Sequence, residues 1–195
     1  MLRCTIKGGG LGTVMIEQIN ELDAILEVPK AKPPADVLAY AFLRLTQEGL
    51  RDVVFYDQPG ITVVEYLVWC ASINVLGCYI RRPLVDSPPV LVGLGFINKL
   101  TEINGYRRGE VGMFFFREYW GRKLTQEFCE KMLDWCFQDA NLDAVYGISP
   151  VNNRLAVAFS RRMGFHQVGP IPKFCTWKGK PADGMISVMT REEWY

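Results

Sequence analysis

The sequence predicts one α/β domain built on a mixed sheet, and three observations carry that prediction. Strand-like and helix-like runs alternate from about residue 75 to residue 165, as they do where helices cross over a sheet. The stretch from Gln167 to Met189 then reads as one long hairpin around Lys178-Gly179-Lys180-Pro181, so the sheet ends antiparallel. Finally, 195 residues with 49% hydrophobic and 12% aromatic side chains suit one ordinary core.

Each element follows from local pattern. Gly8-Gly9-Gly10-Leu11-Gly12 misses the G-x-G-x-x-G template, because the last position falls on Thr13 or Met15, and it reads as a turn or hairpin. Pro29 to Pro34 is a loop, and a helix opens near Ala35. Leu38, Ala41, Phe42 and Leu45 then recur at helical spacing, with Gly49 near the stop. Thr62 to Ile80 is the longest apolar segment, but Glu65, Ser72 and Asn74 make it a buried helix followed by a strand, not a membrane span. Thr62 and Glu65 form a capping box that marks the start of this helix. Val75–Ile80 and Pro89–Leu100 read as strands separated by turn residues. Gly105 closes the next turn, and a strand covers Glu110 to Phe116. Leu124, Phe128, Met132, Leu133, Cys136 and Phe137 outline an amphipathic helix. Leu142–Ile148 is a strand, Asn153–Met163 a helix, and Gly164 its C-terminal cap.

Composition excludes several classes. Lys and Arg number 22 against 21 Asp and Glu, which fits neither a disordered chain nor an electrostatic nucleic-acid binder. The six cysteines (Cys4, Cys70, Cys78, Cys129, Cys136 and Cys175) include no C-x-x-C pair. His166 is the one histidine, so a Cys/His metal site lacks its ligands and no metal is expected. Cys129 and Cys136, seven apart, share a helix face and read as small core residues. No apolar stretch of signal-peptide length precedes the N-terminal glycines. The expected setting is a reducing cytoplasm, with neither nucleic acid nor membrane as a partner.

The chemistry is concentrated in residues 110–165, where a strand runs through a loop into a helix. That turn aims free backbone N–H groups and a positive dipole end at one spot, which suits an anion such as a pyrophosphate. Arg122 and Lys123 add charge beside it.

Two motifs go further. Glu110, Gly112, Glu118, Tyr119, Trp120 and Gly121 stand in the register E-x-G-x-x-x-x-x-E-Y-W-G. Asn153, Ala156, Gly164 and Phe165 stand in the register N-x-x-A-x-x-x-x-x-x-x-G-F. Together with the ending Thr190-Arg191-Glu192-Glu193-Trp194, they resemble the GNAT superfamily of N-acetyltransferases. In motif style they are similar to the branch that acetylates ribosomal-protein N-termini, and to the divergent members that phage genomes carry. The resemblance implies the GNAT fold: a central, mostly antiparallel sheet splayed between strands 4 and 5 and flanked by helices. It implies one domain over residues 1–195, with a recognisable acyl-CoA-binding core at 75–195 and a divergent part at 1–60.

It also implies an acetyl-CoA-dependent transfer to a primary amine by direct attack on the thioester, with acetyl-CoA as co-substrate. The backbone of Met113, Phe114 and Phe115 would meet the pantetheine arm. Gly121, Arg122, Lys123, Leu124, Thr125 and Gln126 would cradle the pyrophosphate, and Asn153 would hydrogen-bond the pantetheine. Glu110 would be the general base, directly or through water. Ser160 occupies the place of the family's frequent tyrosine acid, and Tyr146 on the fifth strand is a second polar candidate. The acceptor would be a small amine, a lysine or a protein N-terminus. Homodimers are frequent in the family.

Plainer roles stand beside these. Glu110 would be satisfied by Arg107 or Arg108, Tyr146 would be a core tyrosine, Asn153 an ordinary N-cap, the Phe114–Phe116 run core, and His166 structural or exposed. The chain also departs from the family pattern at three positions: Lys123 replaces a loop glycine, Ser160 a tyrosine, and Ile148 a glutamate found in some members. These departures support an alternative, a catalytically degenerate GNAT-fold protein acting as a binding or assembly factor. The orientation of the Lys123 side chain separates the two readings: outward favours the enzyme, and into the cleft favours the binder.

Overall fold

The structure, a computed structural model, describes residues 25–29, 31–81 and 88–195. The glycine run at 8–12, Cys4 and the turn at 82–87 lie outside the described residues. A short strand β1 (Ile25–Glu27) precedes helices α1 (Ala35–Gln47), α2 (Arg51–Val54) and α3 (Val63–Ser72). Strands β2 (Asn74–Arg81), β3 (Val90–Ile103) and β4 (Tyr106–Phe115) follow, and a 3-10 turn at Arg117–Tyr119 leads into α4 (Lys123–Asp134). The chain then forms β5 (Ala144–Pro150), α5 (Arg154–Arg162), β6 (His166–Trp177), β7 (Lys180–Thr190) and α6 (Arg191–Trp194).

The seven strands form one mixed sheet in the order β1-β2-β3-β4-β5-β7-β6. Every neighbouring pair is antiparallel except β4 and β5, which run parallel because α4 carries the chain back across the sheet. The α/β class with a mixed, mostly antiparallel sheet is therefore as expected. The capping box at Thr62 is present, with the hydroxyl accepting from Glu65 N–H and the Glu65 carboxylate accepting from Thr62 N–H. Two local features lie outside the periodicity argument: α2, and a π-helical turn at Trp135–Asp139 that extends α4.

The helices cover both faces. Gly95 of β3 looks onto Phe128 and Met132 of α4, while the next residue, Phe96, packs its ring 5.1 Å from that of Trp69 in α3. Strand alternation carries these two faces across the sheet. Val111, Met113, Val145, Gly147 and Ser187 lie on the α4–α5 side, and Asn98, Glu110, Gly112 and Tyr146 on the α1–α3 side. Gly112 is needed where it stands, because a Cβ there would meet the Phe96 ring at 2.1 Å. Phe42, Tyr66, Phe55 and Phe116 fill the half of the core under α1–α3, and Phe115, Phe128 and Phe137 the other, each ring burial contributing roughly 2–3 kcal/mol. Cys70, Cys78, Cys129, Cys136 and Cys175 are all buried free thiols. Among the described residues, no helix is long and apolar enough to cross a membrane.

Candidate active site

The sheet opens at β4 and β5. They pair at Arg108 with Ala144, Gly109 with Val145 and Glu110 with Tyr146, and there the pairing stops. Beyond that point β4 continues against β3 as far as Phe115, and β5 against β7 as far as Pro150, so the two strands part while each stays a strand. Phe116 N–H donates across to Val92 O (3.0 Å). Alternation therefore turns the backbone groups of Phe114 toward β3, and those of Val111, Met113 and Phe115 into the fork. Of the three residues expected to offer backbone there, Met113 and Phe115 do so, while Phe114 is committed to the sheet. The Phe115 carbonyl is already taken, accepting from the Trp120 indole N–H at 2.7 Å.

The loop that follows is anchored by its own motif residues. Arg117 N–H donates to Glu48 Oε2 (3.1 Å), the Arg117 guanidinium donates to Glu48 O (2.8 Å), and Glu118 is ion-paired with Arg44. Tyr119 is buried, with the Arg122 guanidinium 5.5 Å above its ring. Gly121 takes φ +71°, a left-handed turn that brings the chain to Arg122, the N-cap of α4. No side chain caps α4, so its first-turn amides at Lys123 and Leu124 lead out of the helix with no acceptor among the described residues. Thr125 turns back, its N–H and hydroxyl donating to Arg122 O at 3.2 and 2.7 Å. Gln126 is exposed, and its side-chain amide donates to Glu130 Oε1.

Lys123 answers the question that the sequence raised. Its side chain is 82% exposed and points along the helix surface to Glu127, Nζ to Oε1 3.0 Å. The left-handed residue of the loop is Gly121, so a lysine at 123 sits in ordinary helical backbone without strain.

Glu110 is buried at the last paired position, and its Oε2 accepts from Lys99 Nζ at 2.7 Å. The expected partners are engaged elsewhere: Arg108 Nε donates to Thr101 Oγ1, and Arg107 donates its backbone N–H to Asp143 and its guanidinium to Asn141 O. Local sequence spacing cannot reveal Lys99, because it lies where the β3–β4 register breaks, between Asn98 and Thr101, with φ +46°. Cross-strand register lines up Asn98, Glu110 and Tyr146 in one row. Tyr56 and Asp57, in the turn after α2, complete the group. Burial first, and then the Glu110 charge, raises the Tyr56 phenol far above its usual value, and the same two causes raise Tyr146. Lys99 is held above its ordinary range, because its hydrogen bond and attraction to Glu110 outweigh the larger single effect of burial, which lowers it.

Ser160 lies across the sheet from that row. Its hydroxyl is within hydrogen-bond distance of Val157 O (3.1 Å) and of Ser187 Oγ (3.0 Å), and it accepts from Gln167 Nε2 (3.1 Å). Ser187 and Gln167 were not singled out from the sequence. Asn153 caps α5, its Oδ1 accepting from Ala156 N–H at 3.4 Å. His166 is exposed and lies 2.8 Å from Glu193.

Comparison with known proteins agrees with this geometry. The acetyltransferase (GNAT) domain model matches residues 68–166, half of the chain. YdaF of Bacillus subtilis strain 168, whose name assigns it provisionally to the ribosomal N-acetyltransferases, is 24% identical over 104 residues, covering 53% of this chain and 56% of its own. An uncharacterized N-acetyltransferase, p20, of Bacillus licheniformis is 24% identical over 110 residues, covering 56% of this chain and 61% of its own. The chain thus spans about six-tenths or less of the length of these curated relatives. Among solved structures, the spermidine N-acetyltransferase of Vibrio cholerae in complex with CoA and spermine superposes with a TM-score of 0.67 at 16% identity, over 89% of this chain and 98% of that one. Mycobacterium smegmatis RimJ in complex with CoA-disulfide gives 0.64 at 17% identity, over 86% and 83%. At such identities the structures speak for the fold, and the domain match for the family: this chain belongs to the GNAT acetyltransferases.

Proposed function

We propose that the protein is an acetyl-CoA-dependent N-acetyltransferase that moves an acetyl group to a primary amine. The observation that carries this reading is the fork, where β4 leaves β5 after Glu110 and its free edge leads directly to the uncapped first turn of α4. Bound acetyl-CoA would supply an activated acyl carbon as its thioester. The free backbone groups of Met113 and the Phe115 N–H would hold the pantetheine arm and polarise the acyl carbonyl. The Gly121–Gln126 turn would receive the pyrophosphate on its open first-turn amides at Lys123 and Leu124, with Arg122 and Lys123 adding positive charge around it. Asn153, at the opposite lip, would offer its side-chain N–H groups to the pantetheine.

Glu110 would take the proton that the acceptor ammonium must lose before the amine can attack, directly or through water. Tyr146, kept as a phenol by its raised pKa, would line the approach beside it. Ser160, held by Ser187 and Gln167 on the α5 side of the fork, would return a proton to the sulfur as the bond to it breaks. The outward Lys123 favours the enzyme over the non-catalytic binder at one of the three departures, since its side chain runs along the helix surface to Glu127. The motif resemblance and the name of the Bacillus subtilis relative favour a protein N-terminus as acceptor.

The test is calorimetric titration of acetyl-CoA into the protein, followed by thiol release with added amines. Glu110→Gln should leave acetyl-CoA affinity unchanged and lower kcat/KM by about 10²–10³-fold. Neither heat nor a thermal shift at millimolar acetyl-CoA would overturn the reading.

A further inference from the structure

We infer that the acceptor taken at this site is an amine with an anionic group close by, of the kind an acidic peptide N-terminus presents, and that Lys99 selects it. The inference rests on the transferase reading above and names its substrate class.

The row Asn98–Glu110–Tyr146 is built to receive an ammonium group. Glu110 is buried, and one of its oxygens is held by Lys99 Nζ at 2.7 Å. Beside it, Asn98 Oδ1 is buried and has no donor among the described residues. A buried amide oxygen without a partner is costly, and an incoming N–H group would satisfy it. An acceptor amine placed here therefore finds two oxygens, but the first already has a cation.

Charge balance then selects among amines. Around the row the described charges are Glu110 and Asp57 against Lys99 and Arg108, which is even before any acceptor enters. An ammonium group that takes Glu110 leaves Lys99 facing a second cation with only Asp57, to which it makes no hydrogen bond, as a described anion beside it. Transfer of the proton to Glu110 removes the Glu110 charge altogether. Lys99 is held at this spot by its backbone, in a left-handed bulge residue, while its side chain is half exposed at the mouth. An acceptor that brings its own carboxylate supplies Lys99 with a new partner as Glu110 is taken. A polyamine brings further cations to the same place and gains nothing there.

The test uses thiol release with three acceptors: Ala-Glu-Ala-Ala amide, Ala-Lys-Ala-Ala amide and spermidine. Wild type should use the glutamate peptide with kcat/KM about tenfold above the other two, as one charge pair of this kind supplies. Lys99→Met should bring the peptides within about twofold of each other in kcat/KM, whatever it does to the overall rate through Glu110, and Lys99→Arg should restore the preference. If wild type turns over spermidine or the lysine peptide as well as the glutamate peptide, or Lys99→Met keeps the preference, the inference fails and the transferase reading stands. If acetyl-CoA binds but none of the three amines releases thiol, the acceptor class is wrong. Absence of acetyl-CoA binding would overturn both readings.

Discussion

Lys123 Nζ lies 3.0 Å from Oε1 of Glu127, one helical turn along α4, and so the side chain that replaces a family glycine is drawn away from the amides it follows. The backbone there is helical, so on the proposed reading a pyrophosphate at this turn would meet main chain, as it would with glycine. Lys123→Gly should therefore keep acetyl-CoA affinity within about threefold of wild type. Lys123→Glu should weaken it about tenfold at low salt, and the loss should shrink as ionic strength rises. Calorimetry at two salt concentrations checks both, and a gain of more than about tenfold in Lys123→Gly would mean that the lysine obstructs the site.

Gly121 is where the loop does demand glycine. Its φ of +71° is left-handed, and a Cβ there would meet nothing within 4 Å, so the penalty for alanine is conformational and not steric. Gly121→Ala should cost about 1 kcal/mol, or about 2–4 °C in Tm. The same change should weaken acetyl-CoA binding, because the turn sets the direction of the amides that follow. A Tm equal to wild type would show that the turn relaxes freely.

The capping box of α3 makes a pH-dependent contribution. Thr62 N–H, and then the Thr62 hydroxyl, hold the Glu65 carboxyl below its usual range. A carboxyl depressed in the folded state stabilises above its unfolded value, about 4.3, and that stabilisation is lost as pH falls through the lower folded value. Glu65→Gln, the neutral isostere, should melt below wild type at about pH 7, and the gap should close as pH falls below the unfolded value of about 4.3 and through the lower folded one. Circular dichroism melts across that range decide it, since a constant gap would remove the charge from the account.

The core thiols should be inert in the native protein. Burial pushes Cys70 up to about 11 and Cys136 up to about 12, and Cys78 and Cys129 higher still. At about pH 8 each holds on the order of one thiolate in a thousand or fewer. Ellman's reagent should leave these four unlabelled over minutes and label them once denaturant is added, read by peptide mapping. Rapid native labelling at Cys129, inside α4, would point to local opening beside the candidate site.

Much of the architecture is written locally. Apolar spacing at Leu38, Phe42 and Leu45, the Thr62–Glu65 box, and the Asn153 and Gly164 ends of α5 each depend on residues a turn or so apart, so the chain declares them without its neighbours. The fork was legible only through the family resemblance that the two motifs carry, whereas Gly112 and Gly121 answer to close approach and backbone angle at their own positions. What the tertiary structure alone decided is who meets whom. Lys99 and not Arg107 or Arg108 reaches Glu110, because a register break in β3 redirects one side chain. Asn98 and Tyr146 flank Glu110 because three strands distant in sequence share one register. Ser160 is held by Ser187 and Gln167 because α5 lies over β6 and β7. Such contacts depend on pairing register and helix placement across the whole sheet, and no local spacing encodes either.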